Sequence, residues 1–294
     1  MATSIDWMKS KWGAADMVLR LIAVNVAIFL LIRAVAIVLM FTHANIDEML
    51  RLVIVPPVLS EVLREPWTIV SYMFCHYDVF HVLFNMLWLY WFGRMFISIA
   101  TPKQLFALYI YGGVAGAALY IGFCLISPWI GGGGLIGASA AIMAVVIATA
   151  VITPDVPVSL FFFGEVKLKW LAVVTVILFA LGLTGNNAGG HAAHLGGVAM
   201  GVIYGVAFRR GHDLAKPFNR FLDSICSIVE RRKWQPQAKR YHYKASERRN
   251  QASQTASAAM ADIDPILDKI KKSGYASLTA EEKRRLFEAS SRMK

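Results

Sequence analysis

The sequence predicts an all-α membrane protein, a bundle of six transmembrane helices with a short helical tail. Three observations carry that prediction. Hydrophobic residues make up 57% of the chain and charged residues 17%, with a mean hydropathy of +0.52, which is too apolar for an ordinary soluble domain. Six segments, about 18–41, 79–99, 104–127, 136–153, 168–184 and 190–208, approach the roughly 20 apolar residues that cross a ~30 Å hydrocarbon core. Lys and Arg are also unevenly placed: residues 209–294 hold 20 of them against 10 Asp/Glu, leaving 10 against 9 for residues 1–208.

The first span follows a stretch holding Asp6, Lys9, Lys11 and Asp16, and it is longer than a signal peptide and lacks a small-residue cleavage site. It is therefore expected to be retained. Arg33 inside this run is costly in lipid unless its flexible stem lets the guanidinium snorkel to the interface. The first loop, about 42–78, keeps apolar pieces at Leu52–Leu59 and Val62-Leu63, punctuated by Pro56-Pro57 and Pro66-Trp67. A structured element at the membrane interface is expected there. The aromatics Trp88, Tyr90, Trp91 and Phe161–Phe163 are expected to meet lipid or its interface.

An even number of spans puts both termini on one side, and the positive-inside bias selects it. The basic tail, Arg94, Lys103, Lys167 and Lys169 fall together, while the first loop carries Asp47, Glu48, Glu61, Glu65 and Asp78 against Arg51 and Arg64. The expectation is a multi-pass protein of the plasma (inner) membrane, with cytosolic termini and a site opening to the outer side. Three domains are expected: a membrane domain 1–210, a basic membrane-proximal segment and linker 211–261, and a small helical hairpin 262–294. Asp264-Pro265, Gly274 and a Thr279/Glu282 capping box punctuate the hairpin. Ile266, Leu267, Ile270, Leu286 and Phe287 are its apolar contacts. Cys75, Cys124 and Cys226 show neither a disulfide framework nor a metal-ligand spacing.

Polar groups inside spans are functional candidates, and here they converge. His81 and Asn85 stand at the outer end of the second span, Ser139 at that of the fourth and His194 at that of the sixth. From Ser139 to Ile152 there are 14 residues, about 21 Å of helix at ~1.5 Å each, and Pro154 and Pro157 prevent extension. Ser139 is then expected roughly 10 Å below the surface. Irregular backbone at Gly131–Gly134 and Gly137 requires protein or a water-filled cavity around it at that depth. In the sixth span, His194, Gly197, Gly201 and Gly205 share one helix face, where glycine lets another backbone approach closely. A face of this type is most often plain packing. If its partner is the fourth span, it brings His194 beside Ser139.

The runs His81-Val-Leu-Phe-Asn85, Gly137-Ala-Ser139 and Ala193-His194-Leu-Gly-Gly197, in this order on spans two, four and six, resemble the rhomboid protease signature over residues 18–208. The resemblance implies a six-span bundle with a Ser139–His194 dyad that lacks an acid and cleaves transmembrane segments of other proteins. A serine hydroxyl needs a base, and imidazole is the usual one near neutral pH. The Ser139 amide, His81 and Asn85 are the expected oxyanion donors. Single-span or other transmembrane proteins are the expected substrates, the bilayer is the solvent, and the tail has a possible cytosolic partner. No cofactor, metal or nucleic acid is expected.

Departures from the family pattern stand at Ala140, where Gly is usual, at Thr68 after Trp67, where Arg is usual, and at Ile97, where an acidic residue is common. Ala140 is expected to loosen the contact of span four with span six slightly. Competing readings are a catalytically inactive binder of membrane proteins, a metal-dependent hydrolase or transporter using His76, His81, His191 and His194, and His191 as the base. His76 and Tyr72 are read as structural supports.

Overall fold

The computed structural model describes residues 16–41, 45–127, 134–160, 164–234 and 264–284. The expectations for Gly131–Gly133, Phe161–Phe163, most of the linker, Leu286 and Phe287 lie outside these residues. Two compact units result, Met1–Phe221 and Leu222–Lys294.

The first unit opens with α1 (Met17–Phe41), then three short helices, α2 (Ile46–Arg51), α3 (Leu59–Arg64) and α4 (Thr68–Ser71), and a 3₁₀ turn at Tyr72–Phe74. The bundle continues with α5 (Val79–Ile97), α6 (Pro102–Ile126), α7 (Ser139–Ile152), α8 (Leu168–Gly182) and α9 (Ala188–Arg209). Among the described residues three helices, α1, α6 and α9, are long and apolar enough to cross a membrane alone. The other two apolar helices, α7 and α8, are shorter.

Local chemistry starts the helices where the sequence changes character. Asp78 caps α5 by accepting from the His81 amide at 2.8 Å. Thr101 and Gln104 form a reciprocal capping box on α6, with Pro102 in its first turn. The centre of the bundle is α7, buried from Ala140 to Ala150 on every face, as a helix apolar all round must be. Around it pack α9, α6 and α5, with α8 touching it less.

The long first loop is structured, and Thr68 takes part in its scaffold. The Trp67 indole donates to the Leu52 carbonyl (2.8 Å), Ser71 Oγ donates to Val53 (2.8 Å) and Thr68 Oγ1 donates to Glu65 (2.6 Å). Thr68 thus closes its own turn, while Trp67 and Ser71 bind the turn that follows α2. Arg33 is exposed on α1, its guanidinium 5.4 Å from the Phe29 ring centre.

Two elements depart from the sequence reading. A small antiparallel hairpin, β1 (Pro157–Leu160) and β2 (Gly164–Lys167), joins α7 to α8, with Asp155 paired to Lys167 and Lys169 beside it. Helix α10 (Ala215–Trp234) forms the start of the basic membrane-proximal segment, where no helix was expected. Its first turns are fastened to α6: Tyr111 donates to the Leu214 carbonyl (3.2 Å), and the Phe218 ring packs on Phe106 and Tyr111. In the second unit, α11 (Asp264–Ser273) is followed by the Thr279/Glu282 capping box, and Lys269 pairs with Glu282. Ile266 and Leu278 are buried there, while Leu267 is exposed.

Candidate active site

Ser139 is the first residue of α7, and three devices fix the backbone before it. Leu135 exchanges both backbone hydrogen bonds with Val55 (3.0 and 2.9 Å), stitching this segment to the first loop. The Gly137 amide donates to the Tyr72 carbonyl (3.0 Å), and the Tyr72 hydroxyl is anchored on Gly113 of α6 (2.7 Å). Gly137 has φ +121°, a region L side chains rarely adopt, so the turn into Ser139 depends on glycine.

His194 is carried to Ser139 by backbone contact between α9 and α7. A Cβ added at Gly197 would lie 2.1 Å from the Ala140 carbonyl oxygen, one at Gly201 2.7 Å from that of Ala144, and one at Gly205 2.8 Å from Val151 Cβ. All three positions of the glycine face therefore meet α7. The Ala140 methyl points elsewhere, towards Gly116 of α6, where a Cβ would come within 2.5 Å of it. The expected loosening of the α7–α9 contact does not arise, because glycine on the third helix makes room for the methyl.

With the helices so placed, His194 Nε2 lies 2.6 Å from Ser139 Oγ. A serine donating to Nε2 requires the proton on Nδ1, and Nδ1 is buried without a hydrogen-bond partner. Among the described residues no acid bonds this imidazole; the Phe179 ring of α8 does touch it, with centres 4.3 Å apart. His194 sits six residues into α9, about 9 Å along its axis, so α7 starts well below the first turn of α9.

The same cavity, of about 730 Å³, is lined by Ser139, His194, His81 and Asn85, together with Phe84, Met143 and Phe179. The His81 ring covers Gly137, where a Cβ would lie 2.7 Å from its Cε1 and Nε2. Asn85 Nδ2 donates to the His81 carbonyl at 3.0 Å, one turn back. His191 takes no part in lining the cavity; its ring covers Gly182 and packs on Phe179. His76 is buried, edge-on to His81 with centres 5.1 Å apart.

Sequence reasoning missed Phe179 and Ser71. Phe179 sits in a continuous apolar run with nothing local to distinguish it, whereas Ser71 acts through a backbone carbonyl that no side-chain pattern records.

A model of the Rhomboid domain matches residues 63–211, half of the chain. The chain belongs to the rhomboid family. Similar proteins include RHOMBOID-like protein 12, mitochondrial, of Arabidopsis thaliana, 28% identical over 157 residues, covering 49% of this chain and 47% of the relative. Presenilin-associated rhomboid-like protein A, mitochondrial, of Danio rerio is 33% identical over 148 residues, covering 48% and 36%. Rhomboid protein 1, mitochondrial, of Saccharomyces cerevisiae is 28% identical over 140 residues, covering 47% and 40%. The rhomboid chain thus spans less than half the length of these relatives. A second model, a family of unknown function (DUF6576), matches residues 253–292.

The expected plasma-membrane location is overturned by these relatives, all three of which are named as mitochondrial. The physical reason for the error is plain. Lys/Arg asymmetry reports on which side of a membrane a loop lies and carries no information on which membrane it is.

Proposed function

We propose that this rhomboid is an intramembrane serine endopeptidase with six spans, in which α5, α7 and α8 join the three long helices in crossing the bilayer. The observation that carries the reading is the 2.6 Å contact of Ser139 Oγ with His194 Nε2 beside a cavity held between helices. A hydroxyl and an imidazole at this distance can exchange a proton directly.

In this reading His194 takes the Ser139 proton on Nε2 as Oγ attacks the carbonyl carbon of the scissile bond. Charge collects on the carbonyl oxygen, where the Ser139 amide at a helix start, His81 and Asn85 supply donors. Collapse breaks the C–N bond, and the imidazolium gives its proton to the leaving amine. A water molecule, deprotonated by His194, then releases the acyl group and restores Ser139. The proposed substrates are transmembrane segments of other proteins, because the cavity is walled by apolar helices. The proposed division of the chain is a membrane domain up to about residue 210, a basic segment to 261 and a tail hairpin beyond.

The decisive experiment is cleavage of a single-span model substrate by purified protein in detergent, set against Ser139→Ala. Cleavage by both forms, or by neither, would refute the proposal. EDTA is expected to leave the rate unchanged. A chain ending after Trp234 is expected to cleave at the full-length rate in the same assay, since the cavity is lined wholly by residues between Asp78 and His194.

The donors allow a graded prediction. His81→Ala and Asn85→Ala are each expected to lower kcat, by up to about 10²–10³, with little change in KM, because a donor aimed at developing charge acts in the transition state. Asn85→Ala is expected to be the milder, since its amide already donates to the His81 carbonyl. A rise in KM at constant kcat would instead make this a docking face.

A further inference from the structure

We infer that Phe179 is the positioning residue for His194: by packing its ring on the imidazole from α8, it does the orienting work that an acid performs in a triad. The inference rests on the protease reading above.

An imidazole that must accept from Ser139 at Nε2 needs its ring plane fixed, and hydrogen bonding at Nδ1 is the common means. Here Nδ1 is buried and has no partner, so that means is missing. What the ring does meet is aromatic. Phe179 lies with its centre 4.3 Å from that of His194 and the planes inclined at 45°, a direct ring-on-ring contact slightly closer than aromatic pairs usually stand. His191 stands edge-on to His194 at 5.8 Å and itself touches Phe179 at 5.9 Å, so the three rings form one cluster. The aromatic contact thus supplies orientation without adding a charge to an apolar site.

Its location gives the contact a second consequence. Phe179 belongs to α8, whose Val173, Val174, Ile177, Leu178 and Leu181 are exposed, and which touches α7 far less than α9 does. The other restraints on His194 come from glycine contacts to the rigid centre of the bundle. The base is therefore held on one side by the buried central helix and on the other by one that packs against it far less. Displacement of α8 removes the ring from His194, so the alignment of the dyad depends on where α8 sits.

The test uses full-length protein in detergent and a small fluorophosphonate, which reports on Ser139 reactivity without needing a transmembrane substrate. Phe179→Leu keeps an apolar side chain of similar size and removes only the ring; Phe179→Tyr and Phe179→Trp keep a ring. Phe179→Leu is expected to slow labelling about two- to tenfold, the rate equivalent of one aromatic pair, with Tyr and Trp close to wild type. In substrate cleavage the same loss should fall on kcat and leave KM nearly unchanged.

Equal labelling rates in wild type and Phe179→Leu would overturn the inference, as would a loss confined to KM, which makes Phe179 a substrate contact. A Tyr variant as slow as Leu, in protein that elutes and melts as wild type does, would overturn it too. Wild-type protein that is neither labelled nor able to cleave would overturn the protease reading and the inference with it, which separates the two failures.

Discussion

Ser139→Ala and His194→Ala are each expected to lower kcat by roughly 10⁴–10⁶, and the double variant to be no slower than either single one. The reason lies in the 2.6 Å contact: in the proposed mechanism Ser139 passes its proton to His194, so removing either partner removes the whole step. Additive losses would mean that the two side chains act separately. His191→Ala is expected to retain substantial activity, because its ring packs over Gly182 and does not line the cavity. Steady-state cleavage of one transmembrane substrate by the four variants checks all of these outcomes together.

Gly197→Val is expected to have the other large effect, although it changes no chemical group. The first carbon of any side chain there would stand 2.1 Å from the Ala140 carbonyl oxygen, and backbone on both sides cannot yield as a flexible side chain would. Relief requires α9 to move away from α7, at a cost of about 1–3 kcal/mol or more, and the His194–Ser139 distance opens with it. Thermal denaturation in detergent should show a clearly lowered midpoint, with cleavage lost. Gly205→Ala meets Val151 instead, at 2.8 Å and against a side chain, and lies three turns from the dyad. It is expected to be much milder, and equal damage at the two positions would remove the geometric explanation.

How much of this was legible beforehand differs by kind of signal. The order of apolar runs placed all five helices from α5 to α9, because length and hydropathy are local properties. The glycine face of α9 could be drawn from spacing alone, but its partner could not, since a face shows what can approach and never what does. Sequence reading did not anticipate α10: the region after residue 210 was expected only as a basic membrane-proximal segment, although Phe218, Phe221 and Ile225 recur there with helical period. Ala140 was misread for a related reason: the departure was visible, but the compensating Gly116 lies on another helix. Phe179 left no trace at all, because only the packing of α8 against α9 distinguishes it from its apolar neighbours.

The central claim is that Ser139 is a nucleophile activated by His194 within a folded membrane domain. Peptide mapping by mass spectrometry, after treating the detergent-purified protein with a fluorophosphonate, tests it most directly. The account predicts one adduct, on the peptide containing Ser139, absent from His194→Ala and from heat-denatured protein. An adduct on a different serine, or an undiminished Ser139 adduct in His194→Ala, would contradict it.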